Sequence, residues 1–298
     1  MQHLITDIQR FSLNDGPGIR TTVFFKGCNM RCTWCHNPET LSPSKDLMHY
    51  PAKCIGCGRC FAACKAGAHR TEGGVHIIDR EKCTRCGACA AVCYAEALVM
   101  SGRALSVEDI LREVRQDAAY YRASGGGVTL SGGEILCHVP FAVKLAEACR
   151  AEGIHVAVET NLSLPWEEAA PLLGAVDLVM ADCKLADDGA HRKHTGVSNR
   201  HVLENLKKLT DVPLIVRTPL IPGVTATAQN LAAIGQILAG KGNLLFWELL
   251  NFNPLGVSKY DGLGAENAFR AARPYTAAEL EAFRETAAAS GVTVKVGG

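Results

Sequence analysis

The run "GCNMRCTWCHNPET", residues 27–40, decides how the rest of the chain is read. Cys32-Thr-Trp-Cys35-His36 fits C-x-x-C-H, the attachment pattern for a covalently bound haem. Cys28 stands four residues before Cys32, so the same run is also C-x3-C-x2-C, three thiols on one short loop. Three thiolates can hold three corners of an iron–sulfur cube and leave the last iron open. They can also hold zinc, with His36 as a fourth ligand.

Composition works against haem. The formal charge of +1 over 298 residues offers no electrostatic case for nucleic acid or an anionic membrane as partner. The opening "MQHLITDIQRFS" carries Asp7 and lacks the apolar core of an export signal. No apolar run approaches the ~18 residues of a spanning helix. The expectation is a cytoplasmic protein outside any membrane, whereas covalent haem attachment belongs outside the cytoplasm.

Cysteine usage goes further. Fourteen cysteines in a chain of this length without a leader suggest metal rather than disulfides. Beyond the first loop, Cys54, Cys57, Cys60 and Cys64 form one C-x2-C-x2-C-x3-C run, and Cys83, Cys86, Cys89 and Cys93 repeat it. This is the spacing of a bacterial two-cluster ferredoxin, in which the fourth thiolate of each run crosses to the other cluster. One [4Fe–4S] cluster is therefore expected on Cys54, Cys57, Cys60 and Cys93, and another on Cys83, Cys86, Cys89 and Cys64. The proline that usually follows the fourth cysteine is replaced by Lys65 and Tyr94, which removes no ligand. Paired structural zinc sites are the competing reading, and duplicated register over eight thiols weighs against them. Cys137, Cys149 and Cys183 lie outside all three groups.

Strand-like and helix-like runs alternate along the remainder, the pattern of parallel β/α units. The strands predicted are "TTVFF" (21–25), "GVTL" (127–130), "IHVAVE" (154–159), "VDLVMA" (176–181), "PLIVRT" (213–218) and "LLFWEL" (244–249). Helices are expected to start at Ser106 with Asp109, at Asn199, and at Thr276 with Glu279 as a capping box. The fold class is thus α/β: an incomplete (β/α)6 TIM-type barrel over 1–46 and 104–298, with a bacterial-ferredoxin-like α+β insert over 47–103. Barrel chemistry sits at the carboxyl ends of strands. There the sequence places "SGGE" (131–134), Glu159-Thr160-Asn161, Asp182-Cys183-Lys184, Arg217 and "NFNPLG" (251–256). Strand alternation sends Asp182 and Lys184 into the mouth and Cys183 outward into packing. Cys149 on its helix is read as packed likewise.

The segment "TDIQRFSLNDGPGIRTTVFFKGCNMRCTWCHNPE", followed by "SGGE", "ETN", "DCK" and "PLIPG", resembles the activating enzymes of glycyl-radical enzymes. These belong to the radical S-adenosylmethionine superfamily, and the likeness is to the subgroup with a two-cluster insert. It implies that Cys28, Cys32 and Cys35 hold the cluster that reductively cleaves S-adenosylmethionine, with Trp34 as the motif's aromatic. It implies that Gly132, Gly133 and Glu134 meet the methionine amino group, and that Lys184, Arg217 and Asn253 contact the same cofactor. Glu159, Thr160, Met180 and Asp182 would occupy the region where relatives bind a monovalent cation. The resulting 5′-deoxyadenosyl radical would abstract hydrogen from a glycine of a partner lyase or dehydratase, pyruvate formate-lyase being disfavoured. A flavodoxin or ferredoxin donor, a monomeric state and an anaerobic cytoplasm are expected. Asp15 and Arg20 in "DGPGIR" either orient that protein substrate or shape the turn through Gly16, Pro17 and Gly18. A radical enzyme acting on a small molecule is the alternative, and a glycyl-radical signal in a partner separates the two. A pure electron carrier would cleave no S-adenosylmethionine at all.

Overall fold

The computed structural model describes residues 2–297. In chain order its strands are β1 (Gln2–Ser12), β2 (Arg20–Phe25), β3 (Asp46–His49), β4 (His69–Glu72), β5 (Val75–Ile78), β6 (Leu98–Ser101) and β7 (Arg103–Ser106). They continue with β8 (Gly127–Gly132), β9 (His155–Thr160), β10 (Leu178–Asp182), β11 (Leu214–Pro219), β12 (Leu244–Leu250) and β13 (Val294–Gly297). Nine of them form one sheet in the order β13-β12-β11-β10-β9-β8-β2-β1-β7. From β2 to β13 every pairing is parallel, while β1 pairs antiparallel with both β2 and β7.

All six strands expected from the sequence are present and adjacent in chain order. The sheet is wider than those six. β13 is a four-residue strand, "VKVG", too short to stand out, and the long β1 mixes polar and apolar residues because much of it faces solvent. β7 returns the chain to the sheet edge before the next helix, so the route from the cysteine-rich segment to Ser106 is not direct.

Alternation along the parallel strands makes two faces. Val128, Leu130, Val156, Val158, Val179 and Val216 face outward and pack under helices that contribute Phe141, Leu145, Leu231 and Ile234. Each such side chain contributes about 1.5–3 kcal/mol on burial. The opposite face lines the concave interior, where Ala157, Leu178, Met180, Ile215 and Phe246 form an apolar layer. Ser106 and Asp109 form a capping box for helix Val107–Arg115, whose Ile110, Leu111 and Val114 are buried as the sequence suggests. Thr276 and Glu279 do the same for Ala277–Ala288. Asn199 precedes helix Arg200–Lys208 but makes no side-chain cap. Its amide donates instead to the Leu185 and Ala186 carbonyls, fastening the loop behind β10.

Between β2 and β7 the chain leaves the main sheet. β3 and β6 pair antiparallel at the root of this excursion, and β4 and β5 form a hairpin within it. Buried Lys26, at the end of β2, reaches Asp46 at 2.9 Å, and Arg80 donates to the Gly262 carbonyl at 2.8 Å. The excursion is thereby held against helix Val257–Leu263.

Candidate active site

Cys28, Cys32 and Cys35 lie on the loop that leaves β2, partly buried and not disulfide-bonded. Backbone N–H groups of Arg31 and Thr33 donate to Thr195 and His194 carbonyls at 2.7 and 2.9 Å, which pins the loop to helix Asp188–Thr195. Arg31 holds its curve by donating to the Cys28 and Met30 carbonyls. Trp34 packs beside His194, ring centroids 6.1 Å apart. Burial pushes all three thiols above their ordinary range, Cys35 to about 12. At Cys32 the nearby Lys184 ammonium opposes that rise. A bound metal cation would supply the compensating charge that lets thiols so desolvated ionise.

Directly beside this loop, the end of β8 makes a close backbone approach. Gly133 N–H donates to the Phe25 carbonyl and Glu134 N–H to the Gly27 carbonyl, at 2.9 and 2.8 Å. A Cβ on Gly132, at φ +122°, would come 2.1 Å from the Phe25 nitrogen, and one on Gly133 would come 2.3 Å from the Gly27 carbonyl oxygen. No side chain fits at either position. Glu134 is buried, and its carboxylate accepts from Leu136 N–H, the Thr160 hydroxyl and Asn161 N–H at 3.0, 2.5 and 2.8 Å. Burial lifts its pKa to about 7 against those three donors. Asn161 and Ser163 in turn hold Asn29 on the cluster loop.

Above the apolar interior layer lies a charged one. Arg217 on β11 bridges Glu159 on β9 at 3.0 Å and Glu248 on β12 at 2.8 Å, while its third donor reaches the Asn14 carbonyl. Ser131 on β8 donates to the other oxygen of Glu159 at 2.6 Å. Burial would raise Glu159, but Arg217, Ser131 and Lys184 together outweigh it and the pKa falls below the usual value. Asp182 and Lys184 face each other at 2.5 Å, as alternation around Cys183 requires. Burial raises Asp182, and the Asp182 charge holds Lys184 above its ordinary value against the same burial. Cys183 and Cys149 are packed in the core.

Several expected site residues stand apart from these layers. The Thr160 side chain points opposite to Glu159, onto Glu134. Met180 belongs to the apolar layer beneath the charges. Asn253 is exposed, and its side-chain oxygen accepts from Leu255 N–H within its own turn. Arg20 is fully buried, donating to the Thr129 hydroxyl and the Pro17 and Val128 carbonyls. Asp15 accepts from the Thr22 hydroxyl at 2.7 Å. For Arg20, shaping the "DGPGIR" turn is the role its position serves, because it presents nothing to a docking partner.

In the excursion, the eight cysteines sort into two cavities. One, of about 480 Å³, is lined by Cys54, Cys57, Cys60 and Cys93, and the other by Cys64, Cys83, Cys86 and Cys89. Cys57 and Cys86 are exposed.

Residues 22–232 match the Radical SAM superfamily. The chain belongs to that superfamily. Its relatives include the (2S)-3-sulfopropanediol dehydratase activating enzyme of Klebsiella oxytoca, 41% identical over 88% of this chain and 85% of that one. The benzylsuccinate synthase activating enzyme of Thauera aromatica is also 41% identical, over 99% of this chain and 92% of that one. Among solved structures, Streptococcus suis SuiB superposes at TM-score 0.51 with 14% identity, over 66% of this chain and 45% of that one, which shows the shared fold alone. This radical SAM protein sits among the activating enzymes of glycyl-radical enzymes.

A radical SAM protein works with a [4Fe–4S] cluster and S-adenosylmethionine, and the donor set here suits them. Three thiols share one loop, buried enough that burial raises each of them. Two residues of this mouth escape a sequence reading. Glu248 is hidden inside an apolar strand, where its one signal is a lone charge on the same face as Phe246. Tyr260, buried on helix Val257–Leu263, has its phenol raised by burial and then by the nearby Cys35 and Cys32. Nothing in the local sequence marks it.

Proposed function

We propose that this activating enzyme binds one [4Fe–4S] cluster on Cys28, Cys32 and Cys35 and two more in a ferredoxin-like insert spanning 47–103. The insert would place one cluster on Cys54, Cys57, Cys60 and Cys93 and the other on Cys64, Cys83, Cys86 and Cys89. The observation that carries the reading is the sorting of the insert's thiols. Each cavity takes three cysteines from one sequence run and one from the other, as interleaved cubanes require.

Bound at the mouth, the three-cysteine cluster and S-adenosylmethionine supply one-electron cleavage of a sulfonium and hydrogen abstraction from a partner's glycine. The chain's own residues orient and shield. Gly132 and Gly133 let the end of β8 lie against the Phe25 and Gly27 backbone, which sets this turn and Glu134 beside the cluster loop, where the cofactor's methionine end would bind. Lys184, with Asp182, faces the cluster loop, and Arg217 fixes Glu159 and Glu248 in place. The layer holds three carboxylates (Glu159, Asp182, Glu248) against two cations (Lys184, Arg217). That surplus suits one added positive charge, an ammonium group or a monovalent cation near Glu159 and Asp182. Trp34 helps to exclude water, and Asn253 would reach the cofactor by turning from its own loop.

The partner is a glycyl-radical lyase or dehydratase other than pyruvate formate-lyase, with a flavodoxin or ferredoxin as donor to a monomeric activase. Among the described residues, no helix is long and apolar enough to cross a membrane. Anaerobic reconstitution tests the reading. Iron and sulfide should account for three cubanes, reduced protein should release 5′-deoxyadenosine, and a glycyl-radical EPR signal should appear in a candidate dehydratase or sulfonate lyase. Iron for a single cubane would remove the insert clusters. 5′-Deoxyadenosine without any glycyl signal would favour a small-molecule substrate.

A further inference from the structure

The cysteine-rich excursion carries a charge that the rest of the chain does not share. Residues 47–103 hold eight Lys and Arg against four Asp and Glu, whereas the remaining residues hold 23 against 26. The excess sits at the start of the segment. From Leu47 to Thr71 there are Lys53, Arg59, Lys65 and Arg70 and no Asp or Glu. All four cations are exposed. Arg70 pairs with Glu72 at 3.1 Å, but among the described residues Lys53, Arg59 and Lys65 meet no carboxylate.

Two of these unpaired cations flank one exposed thiol. Ile55 to Arg59 are five exposed residues in a row with Cys57 at their centre. Gly56 and Gly58 take φ of +69° and +73°, and a Cβ on either would meet nothing within 4 Å, so this turn stands clear of the protein. The Arg59 guanidinium lies over the Tyr94 ring, 4.7 Å from its centre, and the Lys53 ammonium over the Tyr50 ring at 5.4 Å. Aromatic rings, not carboxylates, hold both charges in place. Tyr94 is 82% exposed and Ile55 72%. Tyr94 lies outside the lining of the Cys57 cavity, so filling that cavity would not cover it. Around Cys86, the other exposed thiol, the balance differs. The Lys65 charge reaches it, but Lys82 pairs with Asp79 at 3.5 Å and Arg85 with Asp46 at 3.6 Å.

We propose that Lys53, Ile55, Arg59 and Tyr94, grouped around Cys57, form the docking surface for an acidic one-electron donor protein. This rests on the reading that such a donor supplies the insert. Unpaired cations on a protruding turn steer an acidic partner and set its orientation, and an exposed aromatic with an arginine on its face is the composition of an interface centre. The donor loses one electron, which enters the insert on the Cys57 side. A small chemical reductant needs no such surface.

The test is 5′-deoxyadenosine formation by the reconstituted full chain, driven by varied concentrations of reduced flavodoxin and, separately, by dithionite. In Lys53→Glu/Arg59→Glu the flavodoxin concentration for half-maximal rate rises about tenfold at low salt, and the gap narrows as salt is added. Dithionite-driven turnover stays within about twofold of the parent, since no reacting group is touched (about 0.4 kcal/mol). Lys53→Gln/Arg59→Gln shifts the same way by less, and Lys82→Glu, on the second cysteine run, stays with the parent. An unmoved half-maximal concentration in the charge-reversed protein overturns the proposal, as does an equal rise in Lys82→Glu. If charge reversal also removes dithionite turnover, the Gln pair decides, and its staying with the parent overturns the proposal. A parent driven by dithionite but by neither flavodoxin nor ferredoxin overturns the donor reading itself, and this inference with it.

Discussion

The loop behind β2 buries all three of its thiols in part, whereas the excursion between Asp46 and Ser101 leaves two of its eight open to solvent. On the loop, burial raises Cys28, Cys32 and Cys35, and the chain fastens each bend to a neighbouring element. In the excursion burial raises Cys60 and Cys89 as well, but Cys57 and Cys86 are open to solvent, and the Ala88 N–H and Thr84 hydroxyl draw Cys86 below its usual value. A desolvated site suits chemistry that water would quench. An accessible one suits exchange of electrons with a visiting protein.

The sharpest way to break that contrast is to remove a thiol from each side. Cys32→Ala should abolish 5′-deoxyadenosine formation, by more than about 100-fold given what even indirect loss of metal support costs. It should keep both insert signals in EPR, and loss of those signals too would mean that the regions are not independent. Arg217→Leu comes next. It leaves Glu159 and Glu248 unpaired in a buried layer, which should cost about 3–5 kcal/mol in denaturant unfolding. S-adenosylmethionine binding should weaken with it. Cys57→Ala should lower turnover driven by a protein donor by about tenfold while leaving turnover driven by a small chemical reductant within about twofold (ΔΔG‡ about 1.4 and 0.4 kcal/mol). Equal losses with both reductants would argue against a supply role. Arg80→Ala should have the smallest effect. Removing its bonds to the Leu47 and Gly262 carbonyls should cost about 1–2 kcal/mol, read as a lower Tm.

The same contrast marks what the sequence made legible. Cysteine spacing singled out both regions as candidate sites, because ligand chemistry constrains the separation of thiols along a chain. The parallel strands were equally readable, since buried β/α strands are short apolar runs between helix caps such as Ser106 and Thr276. Less visible was anything defined by a partner distant in sequence. Glu248 matters because Arg217 faces it across β11 and β12, and β1 belongs to the sheet because β2 and β7 flank it. Thr160 was grouped with Glu159 by adjacency, yet period-two geometry sends it to Glu134. Arg20 read as a candidate surface contact because a lone arginine in a glycine turn gives no local sign of burial. The contact of His69 Nδ1 with His76 Nε2, at 2.8 Å, is invisible in the sequence for the opposite reason. His69 and His76 are close in sequence, but only the β4–β5 hairpin turns their rings together.

The pairing of β3 with β6 has a genealogical consequence. Asp46 and Ser101 are register partners, so the chain departs from the main sheet and returns toward it at neighbouring points. Cutting there and closing the gap would need only a tight turn, since opposed residues in such a ladder lie about 5 Å apart. A lineage could therefore acquire or shed the whole cassette in one recombination event, leaving the catalytic scaffold around it undisturbed.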